Sequence, residues 1–352
     1  MSHSVPSKIR VAAIVPILVL LLLPPHPAVS CPICTGDGNR PPSYAEILMA
    51  AETIAVVSFK DGKSYEIWDV LRGDEELLGE SIEDSSGYKQ QRILAVRTMD
   101  PAKWRILGPF DSELRPLVQR CLPLSPLKAG LDEVWHARLD LFEKDLGHQD
   151  YRIGGSAWAV WATAPYRILA SRTSAPSPET LRKLIAARQR PNEKALWWSL
   201  LGLYPSDQNR TFVRAGLEGA LKKGSTENLA AMFSAHLAHD GEKAAKFISD
   251  RYLLDPSRSF EEVRAALLAL GLHGTEIPDL RPGIQPVLVN FAKQRPRISG
   301  MVARDLMTWE NWSLEKHYRT LMAKKTRMTP DNKKAIAEYL AACAKASNET
   351  KK

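Results

Sequence analysis

Cys31-Pro32-Ile33-Cys34 sets two thiols three residues apart, and four chemistries use that spacing. In an oxidising compartment the pair closes a small disulfide that rigidifies the segment carrying it. At a helix start the dipole lowers the thiol pKa and the pair exchanges disulfides. Here Thr35-Gly36-Asp37-Gly38 follows, which is turn sequence. Lipidation is the third use, since Ala28-Val29-Ser30-Cys31 approximates a lipobox, with Ala28 where leucine is usual. Metal binding is the fourth, but zinc needs two more ligands, and no second Cys pair or Cys-His pair stands at zinc spacing. Thr35 in place of histidine excludes covalent haem attachment. A disulfide or a lipid at Cys31 and Cys34 is the expectation, with redox chemistry as the alternative.

The remaining reactive side chains read more plainly. Cys121 lies on an apolar stripe with Leu114, Leu117 and Val118, and Cys343 on one with Ile336 and Leu340, so each is expected as a buried thiol. A bridge between them would tie the start of the helical region to its end. His236 and His239 stand one helical turn apart, a metal-compatible spacing, and the expected state is a solvated pair near a helix end. Gly154-Gly155-Ser156 is too isolated for a nucleophile elbow, and the sequence has no zinc-protease, phosphate-loop or dinucleotide motif. Asp132-Glu133 and Glu261-Glu262 suit helix starts, where the dipole favours carboxylates. The pairs Trp158/Trp161, Trp197/Trp198 and Trp309/Trp312 read as wedges between helices. No catalytic set, metal site or cofactor is expected.

Residues 1–30 carry the pattern of a secretion signal: Lys8 and Arg10, an apolar run from Val11 to Leu23, and small residues at Ala28 and Ser30. The run contains Pro16 and falls short of the roughly 20 residues a membrane-spanning helix needs. An exported chain beginning at Cys31 is expected, periplasmic or membrane-associated. Without residues 1–30 the net charge falls from +8 to +6, and residues 316–352 alone hold +7. The basic character therefore belongs to the C-terminal tail. Lys324, Lys325, Arg327, Lys333 and Lys334 form a candidate docking surface for an anionic membrane or cell-wall polymer. Nucleic acid is not an expected partner of an exported chain.

The elements that must position these residues fall into two textures. Residues 31–42 are rich in turn formers, and 43–51 have the composition of a short helix. Thr53 to Phe59 and Ser64 to Leu71, joined by Asp61-Gly62, read as a hairpin. Arg92 to Arg97 and Lys103 to Leu107 complete a small β-rich domain ending near Phe110. From 111 to 352 the pattern is about ten short amphipathic helices. Ser259-Phe260-Glu261-Glu262 is a capping box, followed by a stripe of Phe260, Val263, Leu267 and Leu270, with Gly271 expected as the stop. Ser177-Pro178 and Thr329-Pro330 mark two more starts. Further helices are expected near 129–145, 193–204, 208–223, 226–238, 241–254, 280–294, 297–310 and 313–324. The Pro-containing stretches 122–130 and 175–178 read as joints. The fold class is α+β: a β-rich domain over 31–110, then a helical α-solenoid or irregular bundle over 111–352.

Two resemblances follow from these motifs. The Cys-Pro-x-Cys start, the β domain, Ala164-Pro165-Tyr166, Leu201-Gly202-Leu203-Tyr204 and Trp309-Glu310-Asn311-Trp312-Ser313 resemble a family of uncharacterised exported bacterial proteins with HEAT-like helices. That resemblance implies an architecture and no reaction. Ala51 to Phe59 with Tyr65-Glu66-Ile67 and Val70 to Gly73 resembles the first hairpin of netrin-module (NTR) domains, the OB-like barrel of metalloprotease inhibitors whose chains also begin with cysteine. The inhibitors use Cys-x-Cys and further paired cysteines, which this sequence lacks. The expected function is a non-enzymatic scaffold that presents a helical-repeat surface to another envelope protein. Thiol-disulfide exchange at Cys31 and Cys34, or protease binding through the NTR-like domain, are the alternatives.

Overall fold

The computed structural model describes residues 31–349 except 36–39, 62–63, 84–85, 99–102, 127–131, 173–175 and 325–326. The signal-like segment, Gly62 of the expected hairpin turn, parts of both proposed joints, Lys325 and the terminal Lys351-Lys352 lie outside the described residues. Helix α1 (Tyr44–Ala50) opens on a capping box between Ser43 and Glu46. It leads into strands β1 (Thr53–Phe59), β2 (Ser64–Arg72), β3 (Ser81–Glu83), β4 (Ile93–Arg97) and β5 (Trp104–Pro109). All neighbouring pairs are antiparallel, in the order β3-β2-β1-β4-β5.

Breaks in register between β1 and β2 and between β4 and β5 tighten the twist, so the sheet curls into a half-barrel. Alternation assigns the two faces. Ala55, Val57, Tyr65, Ile67, Ile82, Ile93 and Ala95 fill the hollow of the curl. Ile54, Val56, Leu94, Val96 and Leu107 point the other way, into the main core with the helices. That core also takes in Cys31, Ile33, Cys34 and α1, and it runs across residue 110 without a break.

The helical region begins with α2 (Leu114–Cys121), α3 (Asp132–Phe142), α4 (Tyr151–Thr163) and α5 (Tyr166–Ala170). It continues through α6 (Pro178–Ala186), α7 (Lys194–Leu201), α8 (Asp207–Lys223), α9 (Leu229–Asp240) and α10 (Glu242–Ile248), the last prolonged by a π turn over Ser249–Leu253. It ends with α11 (Phe260–Glu276), α12 (Arg281–Gln294), α13 (Ala303–Thr308), α14 (Glu315–Ala323) and α15 (Pro330–Glu349). Helices α4, α7, α9 and α11 touch in succession as an inner row, while α6, α8, α10 and α12 pack outside it. This is the two-layer stacking of a solenoid, in which each outer helix covers the stripe of its inner neighbour. Among the described residues, no helix is long and apolar enough to cross a membrane.

Gly271 does not stop its helix. α11 runs on to Glu276, and both Gly271 and Gly274 lie inside it. A Cβ on Gly271 would sit 3.0 Å from the Asp305 carboxylate, and one on Gly274 would sit 2.4 Å from the Trp309 ring. These glycines serve close approach by α13 and the residue after it. Phe260 is half exposed, so the buried stripe of α11 begins at Val263.

One side chain fastens the sheet to the helices. Arg72, at the end of β2, donates to Leu48 O (2.9 Å) and Ala51 O (3.1 Å) at the end of α1. It also donates to Cys121 O (2.6 Å), Leu122 O and Leu124 O (3.4 Å) at the end of α2. The last carbonyls of a helix have no intrahelical donor and carry its negative pole, so one guanidinium satisfies two helix ends together. Arg72→Met should destabilise the fold by about 3 kcal/mol, because the carbonyls lose a charged donor in a site with little water. Urea unfolding followed by circular dichroism measures it, and a loss below about 0.5 kcal/mol would refute this role.

Candidate functional site

Cys31 and Cys34 are joined by a disulfide, with Cα atoms 5.3 Å apart, and neither residue has exposed surface. The loop closes on itself through Cys34 N–H donating to Cys31 O (3.1 Å). Cys31 N–H donates to Ala164 O (3.2 Å), the carbonyl that caps the C-terminal end of α4. The bridge is a plug in the helical core. Neither sulfur presents surface to an incoming thiolate.

Pro32, on the outer side of the plug, forms the rim of a cleft of about 350 Å³ walled by Leu267, Leu268, Leu272 and Met301. Burial raises the Asp305 carboxyl in this cleft to about 6. Arg264 and Glu276 also line the cleft, and Glu276 lies 3.8 Å from Arg167.

Lys324 follows α14, Arg327 lies in the α14–α15 connection, and Lys333 and Lys334 occupy the first turns of α15. All four are exposed, and none forms an ion pair among the described residues. The N-terminal pole of α15 adds to their positive field. Lys325 lies outside the described residues.

The histidine pair differs from expectation. His236 and His239 are buried, because α9 is an inner-row helix covered on all sides. His236 Nδ1 lies 3.2 Å from Asp240, and His239 Nε2–H donates to Leu201 O (3.2 Å). Burial lowers the pKa of both. Among the described residues, no group of three metal-ligating side chains occurs. His273 of α11 is deeper still: it shares a hydrogen bond with Ser234 Oγ (2.8 Å), and burial lowers it to about 3. Cys121 and Cys343 are both buried and free, and burial pushes the Cys121 thiol up to about 12.

The sheet carries an exposed apolar patch. Trp68 is 58% exposed and Leu78 51%, and together with Phe59, Ile67 and Lys60 they line a groove of about 840 Å³. The Arg92 guanidinium stands 5.1 Å over the Trp68 ring, and Lys60 pairs with Glu66 at 2.9 Å. The β3 strand pairs with residues 64–66 of β2, Ile67 exchanges backbone hydrogen bonds with Glu80 and Gly79, and the Glu75–Leu77 turn touches β2, so from Trp68 to Arg72 this edge has no strand neighbour. Period-two alternation does put Trp68 on the same face as Glu66, which is the signal the sequence holds. Apolar side chains exposed on the helices, such as Val134, Phe260 and Met322, are scattered singly.

Comparison with protein-family models, with curated proteins and with solved structures finds no match. The geometry alone therefore carries the functional reading.

Two outcomes are expected. In the native protein, reduced glutathione followed by alkylation should leave Cys31 and Cys34 unmodified by mass spectrometry, with full modification only in denaturant. Modification in the native state would show that the plug opens. Stability should fall as pH drops below about 6.5, because the unfolded chain takes up a proton that buried His273 refuses until about 3. Each such group contributes a slope of up to about 1.4 kcal/mol per pH unit. His273→Gln should make the slope shallower in urea titrations at stepped pH, and an unchanged slope would exclude His273 as a source.

Proposed function

We propose that this chain is an exported, non-enzymatic binding module of the cell envelope that takes an extended segment of another envelope protein at the β2 edge beyond the end of β3. The observation that carries the reading is the exposed Trp68–Leu78 groove beside a strand edge with no β3 neighbour. An added strand gains main-chain hydrogen bonds from such an edge, and pockets beside it select side chains. An exposed tryptophan flanked by an arginine has the composition of an interface hot spot. In this reading the helical stack supports the sheet, and the partner meets the sheet and not the solenoid surface.

Export is supported by the signal-like pattern of residues 1–30 and by a bridged cysteine pair, which persists in oxidising compartments. Burial of both sulfurs weighs against redox exchange. The Cys31 N–H engaged with Ala164 O weighs against an inhibitor that would offer the Cys31 amine and carbonyl to a protease metal. The exposed Lys324, Arg327, Lys333 and Lys334 support contact of the C-terminal tail with an anionic membrane or cell-wall polymer.

A photo-crosslinking residue at Val70 or Leu78, activated in native envelopes, should trap one protein. Trp68→Ala should abolish that adduct and weaken binding by at least about 2 kcal/mol, while leaving the unfolding midpoint nearly unchanged. An adduct that persists in Trp68→Ala, or crosslinks confined to helix positions, would sink the proposal.

A further inference from the structure

A second cavity, of about 510 Å³, opens where the loop before α4, the end of α6 and the start of α7 meet. Glu193 lines it and is only 4% exposed. Its Oε1 is buried with no hydrogen-bond partner, and the Arg190 Nη1 lies 3.6 Å away. A buried carboxylate oxygen left without a donor is costly unless something else completes it.

Arg190 is held in an unusual way. Its backbone is in the left-handed region (φ 53°), which a non-glycine residue occupies at a cost of order 1 kcal/mol. Its Nη2 donates to Gln149 O (2.5 Å), and the guanidinium stands 5.6 Å over the ring of Tyr151. Gly154 makes room for this arrangement, since a Cβ there would come within 2.6 Å of Arg190 Nη1 and 2.3 Å of His148 O. Strain kept for the sake of one placed side chain is characteristic of binding sites.

Tyr151 is 61% exposed, the highest of the large apolar side chains, and is the shared wall between this cavity and a second of about 290 Å³ that holds Tyr44, Tyr88 and Arg105. Gln149 and Gln189 also line the larger cavity.

The lining decides the class of ligand. An anion finds the Arg190 guanidinium already engaged by Gln149 O and the Tyr151 ring, and a cation meets that guanidinium's positive charge. A lipid tail would leave the buried Glu193 carboxyl without a partner. What fits is a neutral molecule that donates and accepts at adjacent atoms and also presents an apolar face to an aromatic ring. Vicinal hydroxyls on a pyranose meet both requirements: planar carboxyl, amide and guanidinium groups take the hydroxyls, and the C–H face lies on tyrosine. We propose that the Glu193–Arg190–Tyr151 cavity is a binding site for a neutral oligosaccharide, with Tyr151 dividing two subsites. Burial raises the Glu193 carboxyl to about 7 against the opposing pull of Arg190, so the group is able to donate as well as accept near neutrality. The site is separate from the Trp68 groove, and neither depends on the other.

The test is binding of the full exported chain to an array of neutral linear oligosaccharides, followed by calorimetry with free cellotetraose, chitotetraose and maltotetraose. At least one neutral sugar should bind saturably. Tyr151→Ala and Glu193→Leu should each weaken it at least about tenfold, whereas Glu193→Gln, which keeps the shape and an acceptor, should weaken it less than Glu193→Leu does. Trp68→Ala should bind the sugar like the native chain, which separates failure of this site from failure of the protein-docking site. Circular dichroism on each variant controls for folding. An array with no neutral binder, binding restricted to anionic glycans, or undiminished affinity in both Tyr151→Ala and Glu193→Leu would overturn the proposal.

Discussion

The burial of α4 on every side is the constraint from which the rest of the molecule is organised. Each residue from Ile153 to Ala162 is buried, so between its two ends this helix has no solvent face to satisfy. Its small residues, Gly154, Gly155, Ser156, Ala157 and Ala159, let neighbours approach on several sides. Ala45 N–H of α1 donates to Ser156 Oγ (3.0 Å), and Trp161 Nε1–H donates to Leu139 O of α3 (3.3 Å). At its N-terminal end Arg152 pairs with Asp150 and Asp111 and donates to Pro109 O (3.0 Å), which binds the end of β5 to the helix. The sheet, the cysteine loop and the helical stack therefore share one post.

Around that post the chain solves a recurrent problem of helical stacks, the unsatisfied ends of short helices packed indoors. Arg72 answers it for α1 and α2 with one side chain, and Cys31 N–H answers it for α4. Close approach is bought elsewhere by glycine, as at Gly271 and Gly274 beneath Asp305 and Trp309. The same residues that break a helix in isolation are here the ones that let a second element lie against it.

Much of this was legible in the residues. Local signals placed the capping box at Ser259, a short helix over 43–51, the strands at Thr53–Phe59 and, to within one residue, Ser64–Arg72, and most outer helices to within a few residues. Helix α4 was not legible, because a helix buried all round has no amphipathic period and Gly154-Gly155 reads as a break. Strand β3, with three residues, is too short to show alternation. The histidines of α9 read as solvated for a related reason: nothing local says that α9 lies in the inner row. Alternation puts Trp68 on one face with Glu66 and Val70, but how far the rest of the fold covers that face is set by tertiary packing. The Glu193 cavity was invisible, since Arg190 and Glu193 share the turn before α7 but Tyr151 opens α4 some forty residues earlier, and only the fold brings them together.

The cysteine plug has a consequence for the order of assembly. Its internal bridge spans three residues and needs nothing beyond its own turn, whereas its seat is built from Ala164 and the wall of α11, more than a hundred residues further along. Synthesis runs from the N-terminal side, so both cysteines are made long before the socket that receives them. The early part of the chain thus carries a latch that only the later part can receive, and the contact that secures residue 31 also reports that the inner row has been laid down.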